Sequence, residues 1–292
     1  LHNGRDPKTG ELLGLETGDP RDFKNIEELK DALKKQLAYF YRMIKDGYDL
    51  MVPYHMLRYP VIFASMAMKG CVESGKSVQE GGAKYSTAGM FITGSANLAD
   101  SIVAIEDVVY KDHDVTMDQL IEALDKNFED EERLRQLLIN KPPKYGNDNE
   151  YVDGVAREML GYCADLVQSW EDSRHGRYSF CNLSQTVNIS HGEVCGATPD
   201  GRLAGETYCD NCSPTMGRDL MGPTATVKSV ASIDQGRFHD GALFNLRFDP
   251  KGIQGEKGLD IIEGVIKTYF EEGGEHIQIN VVDDKTLRAA QQ

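Results

Sequence analysis

The order in which hydrophobic periods change along the chain constrains its fold more than any other feature. Ala88 to Gly94 (AGMFITG) is a short apolar run bounded by glycine, as in a buried strand, and from Ala96 to Tyr110 the residues Leu98, Ile102, Ile105 and Val109 recur at helical spacing. A strand running straight into a helix is a βα unit. Amphipathic helices follow over 116–127, 130–140 and 149–172, with Pro142 and Pro143 parting the second from the third. Alternation then resumes. The segments 178–189, 225–230, 242–248 and 276–282 read as strands, and a helix over 257–271 separates the last two. Strands joined through helices are parallel and lie within a helical shell, so the pattern predicts an α/β fold built on a parallel sheet or barrel.

The first third reads differently. Residues 1–23 are rich in Gly, Pro, Asp and Thr without periodicity, which predicts an ordered loop. Phe23, Ile26, Leu29, Leu33, Leu37 and Phe40 then step by three and four, predicting a helix over 25–46 with Glu27 and Glu28 in its first turn and Gly47 as its stop. The stretch MLRYPVIFASMAMKGCVESG is apolar nearly all round, which predicts a helix over 54–74 lying deep in the fold. No internal repeat or linker divides the sequence, so 1–292 reads as one domain. The chain starts at Leu1 and ends at Gln292 inside a helical pattern, and both ends read as cuts.

Composition excludes several functions. A net charge of −15, from 47 acidic and 32 basic residues, repels a phosphate backbone and argues against a nucleic-acid partner. No apolar run approaches the roughly 20 residues that span a bilayer. Six cysteines in a chain this long without a signal peptide point to reduced thiols and a cytoplasmic setting.

Local motifs are few. Cys209-Asp210-Asn211-Cys212 has the spacing of a metal or redox pair, but no second pair completes a four-ligand set, and no histidines stand at ligand spacing, so no metal site is expected. Gly70-Cys71-Val72-Glu73 places a carboxylate near a thiol; its structural reading is a helix end at Gly75 with Cys71 buried as a small hydrophobe. His191 adjoins a strand end and reads as a loop histidine. The runs Glu80-Gly81-Gly82 and Gly196 to Gly201 lack the context of a phosphate cradle and read as tight turns with positive φ.

Taken together, NGRDPKTGELLGLETGDPRDFK (3–24), EGGAKYSTAGMFITGSANLADSIVAIEDVVY (80–110), NKPPKYGNDNEYVD (140–153), GEVCGATPDGRLAGE (192–206), SPTMGRDLMGPTATVKSVA (213–231) and GGEHIQINVVDDKTLRAAQ (273–291) resemble the second half of the glycyl radical enzyme domain, of the pyruvate formate-lyase and glycerol dehydratase type. They occur from end to end in the family's order. The resemblance implies part of a ten-stranded α/β barrel with surrounding helices, enclosing a finger loop with a catalytic cysteine. A backbone glycyl radical near the family's C-terminus generates the thiyl radical there. That cysteine lies upstream of the segment like NGRDPKTGE and the glycine beyond the segment like NVVDDKTLRAAQ, so no catalytic residue is assigned within this chain, Cys71 included.

On this reading the barrel wall is supplied by Asn182, Ser184, Thr186 and Asn188, at even positions of the 178–189 strand, and by Phe91, Thr93 and Ser95 from the earlier one; these are the candidate substrate-binding residues. Such a cavity keeps a radical intermediate from water. The resemblance implies a lyase of the dehydratase or decarboxylase kind, breaking a C–O, C–N or C–C bond of a small organic substrate. The alternatives are an alkyl- or arylalkylsuccinate synthase, a formate acetyltransferase, or a non-catalytic binding module. It also implies a homodimer and a separate activating enzyme that uses S-adenosylmethionine and an iron–sulfur cluster, with no cofactor bound by this chain itself. The fragment alone should be inactive and should expose apolar surface where barrel strands are unpaired.

Overall fold

A computed structural model describes residues 1–290. The ordered N-terminal loop leads into helix α1 (Ile26–Arg58), whose first turn is capped by Asn25, its side chain accepting from Glu28 N at 3.1 Å. The helix runs past Gly47, where a stop was expected, and through Pro53. A glycine costs a helix only about 1 kcal/mol, and here the Lys45–Asp49 pair at 2.6 Å and the edge-on contact of Tyr48 with Tyr178 hold the surrounding turns. The helix ends just before Tyr59 and Pro60, where the proline ring disfavours helical backbone.

The continuous buried helix expected over 54–74 is absent. In its place are the end of α1, a short helix α2 (Ile62–Ala67) and a single turn α3 (Cys71–Ser74) between Gly70 at φ 100° and Gly75 at φ 66°. This region is not deep: Leu57 is 83% exposed and Phe63 88%. Along α1 the exposed Phe40, Met43, Leu50, Tyr54 and Leu57 follow steps of three, seven, four and three residues, an apolar stripe at helical spacing. All-round hydrophobicity, read as burial within this chain, is apolar surface left uncovered by it.

Strand β1 (Thr87–Phe91) feeds helix α4 (Ser95–Ile105), which continues as a π-helical turn over Glu106–Lys111. Helices α5 (Met117–Asp125), α6 (Glu132–Asn140) and α7 (Glu150–Gln168) form the helical layer close to its expected bounds. Strand β2 (Arg177–Cys181) is shorter than expected: past Cys181 the chain turns, passes through Thr186 at φ 93° and enters helix α8 (Val187–Val194). The expected strand at 225–230 is instead helix α9 (Pro223–Ala231), started by a proline at its first position. Strand β3 (Leu243–Phe248), helix α10 (Gly255–Glu271), strand β4 (His276–Val281) and helix α11 (Asp284–Ala290) complete the described chain. The helical pattern read through Gln292 is thus described to Ala290, and its last two residues lie outside the described ones.

The pairings are parallel, as the alternation predicts. β1 lies beside β2 with Thr87 opposite Arg177, and β3 beside β4 with Leu243 opposite His276. A parallel bridge between Asn182 and Ala242 joins the two pairs, so the four strands form one arc, β1-β2-β3-β4. Helices cover one face. Phe180 of β2 is fully buried there, edge-on to Tyr41 of α1 at 6.2 Å and to Phe238 at 5.6 Å; burying a phenylalanine contributes about 2–3 kcal/mol. α1 is fastened to α7 by Lys30 and Lys34, whose ammonium groups meet Glu158 at 2.7 and 2.6 Å.

Candidate functional site

The chemistry-bearing residues converge beyond the C-terminal ends of β1 and β2. Phe91, the last residue of β1, is 44% exposed and lies parallel to the His191 ring from α8, with centroids 6.3 Å apart. Thr186, just before α8, is also exposed and lines a cleft with Asn188. Beneath them runs a buried polar chain. Asn182 Nδ2 donates to Ser95 Oγ at 3.1 Å, and Ser95 Oγ donates to the carbonyl of Asn211 at 3.2 Å. Asn211 Oδ1 accepts from Ser184 N at 2.6 Å and lies 3.1 Å from Ser184 Oγ, which stands 3.2 Å from Asn188 Oδ1. Asn188 Nδ2 in turn reaches the carbonyl of Tyr208 at 3.4 Å.

Four of the seven residues singled out from the sequence, Ser95, Asn182, Ser184 and Asn188, are therefore brought together, though not as a strand wall. The alternation that suggested one is a turn and a helix start, so parity does not decide which side chains face inward. These four satisfy one another; only Asn182 Oδ1 is buried without a partner. Thr93 lies apart. It lines a cavity of about 690 Å³ between the N-terminal loop and α1, with Leu29, Leu33, Leu37 and Phe40, and its Oγ1 is buried without a partner.

Sequence reasoning missed Asn211, the hub of this chain. The Cys209 to Cys212 motif drew attention to its thiols, whereas its asparagine makes the connections. The two sulfurs serve the backbone: Cys209 Sγ accepts from Ala96 N at 3.3 Å, and Cys212 Sγ lies 2.7 Å from the carbonyl of Leu243. Burial pushes the Cys209 thiol up to about 11, and Cys212 higher still. Neither is a ready thiolate. Cys71 is buried in α3, and Glu73 Oε2 accepts from Gly70 N at 3.0 Å, so that carboxylate serves its own helix start and not the thiol. Of the glycine-rich runs, Gly81 (φ 76°) and Gly201 (φ 90°) adopt the expected positive φ, whereas Gly82 and Gly196 do not.

Asn97 of α4 holds a second buried junction. Its Nδ2 donates to Asp200 Oδ2 at 2.6 Å and its Oδ1 accepts from Cys209 N at 2.7 Å, tying the turn at 198–202 to the segment that carries Asn211. Asp100, one turn further on, is fully buried, and loss of solvent raises its carboxyl far above the ordinary range despite the nearby Lys144.

These features have close counterparts in known proteins. Residues 1–192 match the family model described as pyruvate formate lyase-like, and residues 209–292 match that described as glycine radical. The chain belongs to the glycyl radical enzymes. The trans-4-hydroxy-L-proline dehydratase of Clostridioides difficile is 39% identical over 291 residues, covering all of this chain and 37% of that protein. A solved structure of the C. difficile hydroxyproline dehydratase with its substrate superposes on 100% of this glycyl radical enzyme chain and 37% of its own, with a TM-score of 0.95. The glycerol-bound B12-independent glycerol dehydratase from Clostridium butyricum, at 35% identity, covers 99% of this chain and 36% of its own with a TM-score of 0.94. The chain thus spans little more than a third of the length of these relatives. Its fold is α/β, and its strand arc is a part of the glycyl radical enzyme barrel.

Proposed function

We propose that residues 1–292 form one part of the catalytic domain of a glycyl radical lyase of the dehydratase kind, which eliminates a group from a small polar organic substrate. The observation that carries this reading is the end-to-end superposition on two dehydratases at 35 and 39% identity. In this proposal the thiyl cysteine and the radical glycine belong to polypeptide on either side of these residues, and a separate activating enzyme, using S-adenosylmethionine and an iron–sulfur cluster, installs the radical. The working form is a cytoplasmic homodimer. Among the described residues no helix is long and apolar enough to cross a membrane.

Within this chain, Phe91 and Thr186 face the substrate, and Asn182, Ser95, Ser184 and Asn188 hold them in place through Asn211. A buried hydrogen-bonded network fixes geometry tightly, which a radical reaction needs if the hydrogen-donor distance is to be held and water kept out. Thr93 stands apart and serves the N-terminal cavity. The test is to activate the complete gene product under strict anoxia and offer it trans-4-hydroxy-L-proline, glycerol and 1,2-propanediol. Dehydration of at least one, with KM raised in Thr186→Val and kcat lowered in Asn182→Ala, is the expected result. A radical-bearing enzyme that dehydrates none of them would defeat the dehydratase assignment.

A further inference from the structure

A cleft of about 870 Å³ between β3 and the loop at 213–221 carries charge that the fold leaves unpaired. Four arginines line it, and two serve the backbone. Arg202 donates to the carbonyls of Leu203, Glu206 and Gly196 while lying over the Tyr208 ring, and Arg135 donates to Gly201 O at 2.9 Å and pairs with Glu132. Arg218 and Arg247 differ. Arg218 is held by its carbonyl, which accepts from Asn147 Nδ2 at 2.8 Å, and Arg247 Nη1 touches Met216 Sδ at 3.9 Å; among the described residues neither guanidinium has a carboxylate within ion-pair distance.

The acids of the cleft do not supply the missing partner. Asp200 is taken by Asn97 and Thr198, Glu206 accepts from Leu203 N at 2.9 Å, and Asp210 is taken by Asn211 and Asn245. Asp219 forms no ion pair at bonding distance among the described residues, although Arg247 is near enough to act on its carboxyl. Two further oxygens in the cleft, Thr215 Oγ1 and Asn245 Oδ1, are buried without partners. Unpaired guanidinium forks suit a carboxylate, and in a chain of net charge −15 they form a local sink for anions.

We propose that this cleft binds a small hydroxy-carboxylate, its carboxylate taken by Arg218 and Arg247 and its hydroxyl by Thr215 Oγ1 and Asn245 Oδ1. The cleft shares Thr186 and Asn188 with the substrate side proposed above, so this inference rests on that reading, but binding is measured without turnover and the two can fail separately. Glycolate and acetate, titrated into the full chain at pH 7 and low salt by calorimetry, test it. Glycolate should bind saturably with one site and about tenfold more tightly than acetate, and Arg218→Gln and Arg247→Gln should each weaken it at least about tenfold. Thr215→Val should remove the preference for glycolate while leaving acetate binding in place. Near-UV circular dichroism checks each variant's fold, and Arg218→Gln with Thr215→Val suffices if Arg247→Gln does not fold. Absence of saturable binding, binding unchanged in the arginine variants, or tighter binding of inorganic phosphate than of glycolate would each overturn the assignment.

Discussion

Replacing Asn97 by alanine tests the reasoning about the buried polar scaffold. The substitution leaves Asp200 Oδ2 and Cys209 N without the partners they now meet at 2.6 and 2.7 Å, in residues that are almost wholly buried. Each orphaned group costs about 1–3 kcal/mol, with the carboxylate at the upper end, so the loss should total about 3–5 kcal/mol. For a chain of this size a urea dependence of about 3 kcal/mol per molar converts that into a midpoint lowered by about 1–1.7 M at unchanged slope. A double-mutant cycle with Asp200→Ala should return a coupling of about 1.5–3 kcal/mol, since one of the two bonds runs between these side chains. A midpoint shift below about 0.3 M, or a coupling near zero, would refute the view that Asn97 clamps the segment bearing Asn211.

Three further outcomes follow from the structure. The Asp153 carboxyl, bonded to Ser229 Oγ at 2.8 Å, is pushed up to about 6 by burial; because the folded value lies above the unfolded one, its contribution is fully present below pH about 4 and is lost as pH rises to 6. Asp153→Asn should flatten stability across that window by about 1–2 kcal/mol in urea titrations at several pH values. Gly201→Ala places a Cβ 2.5 Å from Ile139 Cγ1 at φ +90° and should cost about 2–4 kcal/mol in the same assay. Leu57→Glu with Phe63→Glu, on the exposed apolar face, should leave stability within about 0.5 kcal/mol while reducing self-association in sedimentation.

Much of the fold was legible because period and punctuation agree. AGMFITG runs into a helical pattern, and the structure places β1 there, ending three residues early, followed by α4 and its π-helical continuation. The misreadings share one cause. At 225–230 and 182–189, short stretches fit either period, and the deciding groups lie elsewhere: Pro223 pre-sets the first turn of α9, and Asn211 draws Ser184 away from an extended path. At 54–74 the apolar residues are real but have no cover within this chain, so hydrophobicity and burial part company. The candidate site was half legible. Small polar residues at 182–188 marked the right place, but their mutual bonds, and the part played by Asn211, require contacts across 27 residues that no local pattern encodes.

The most direct test is electron paramagnetic resonance of the complete gene product after anoxic incubation with an S-adenosylmethionine-dependent activating enzyme and a reductant. A glycyl-type doublet, collapsed by deuterium labelling of glycine and quenched by air, is the result this account predicts. A protein that binds its activating enzyme yet yields no glycine-centred signal would contradict it.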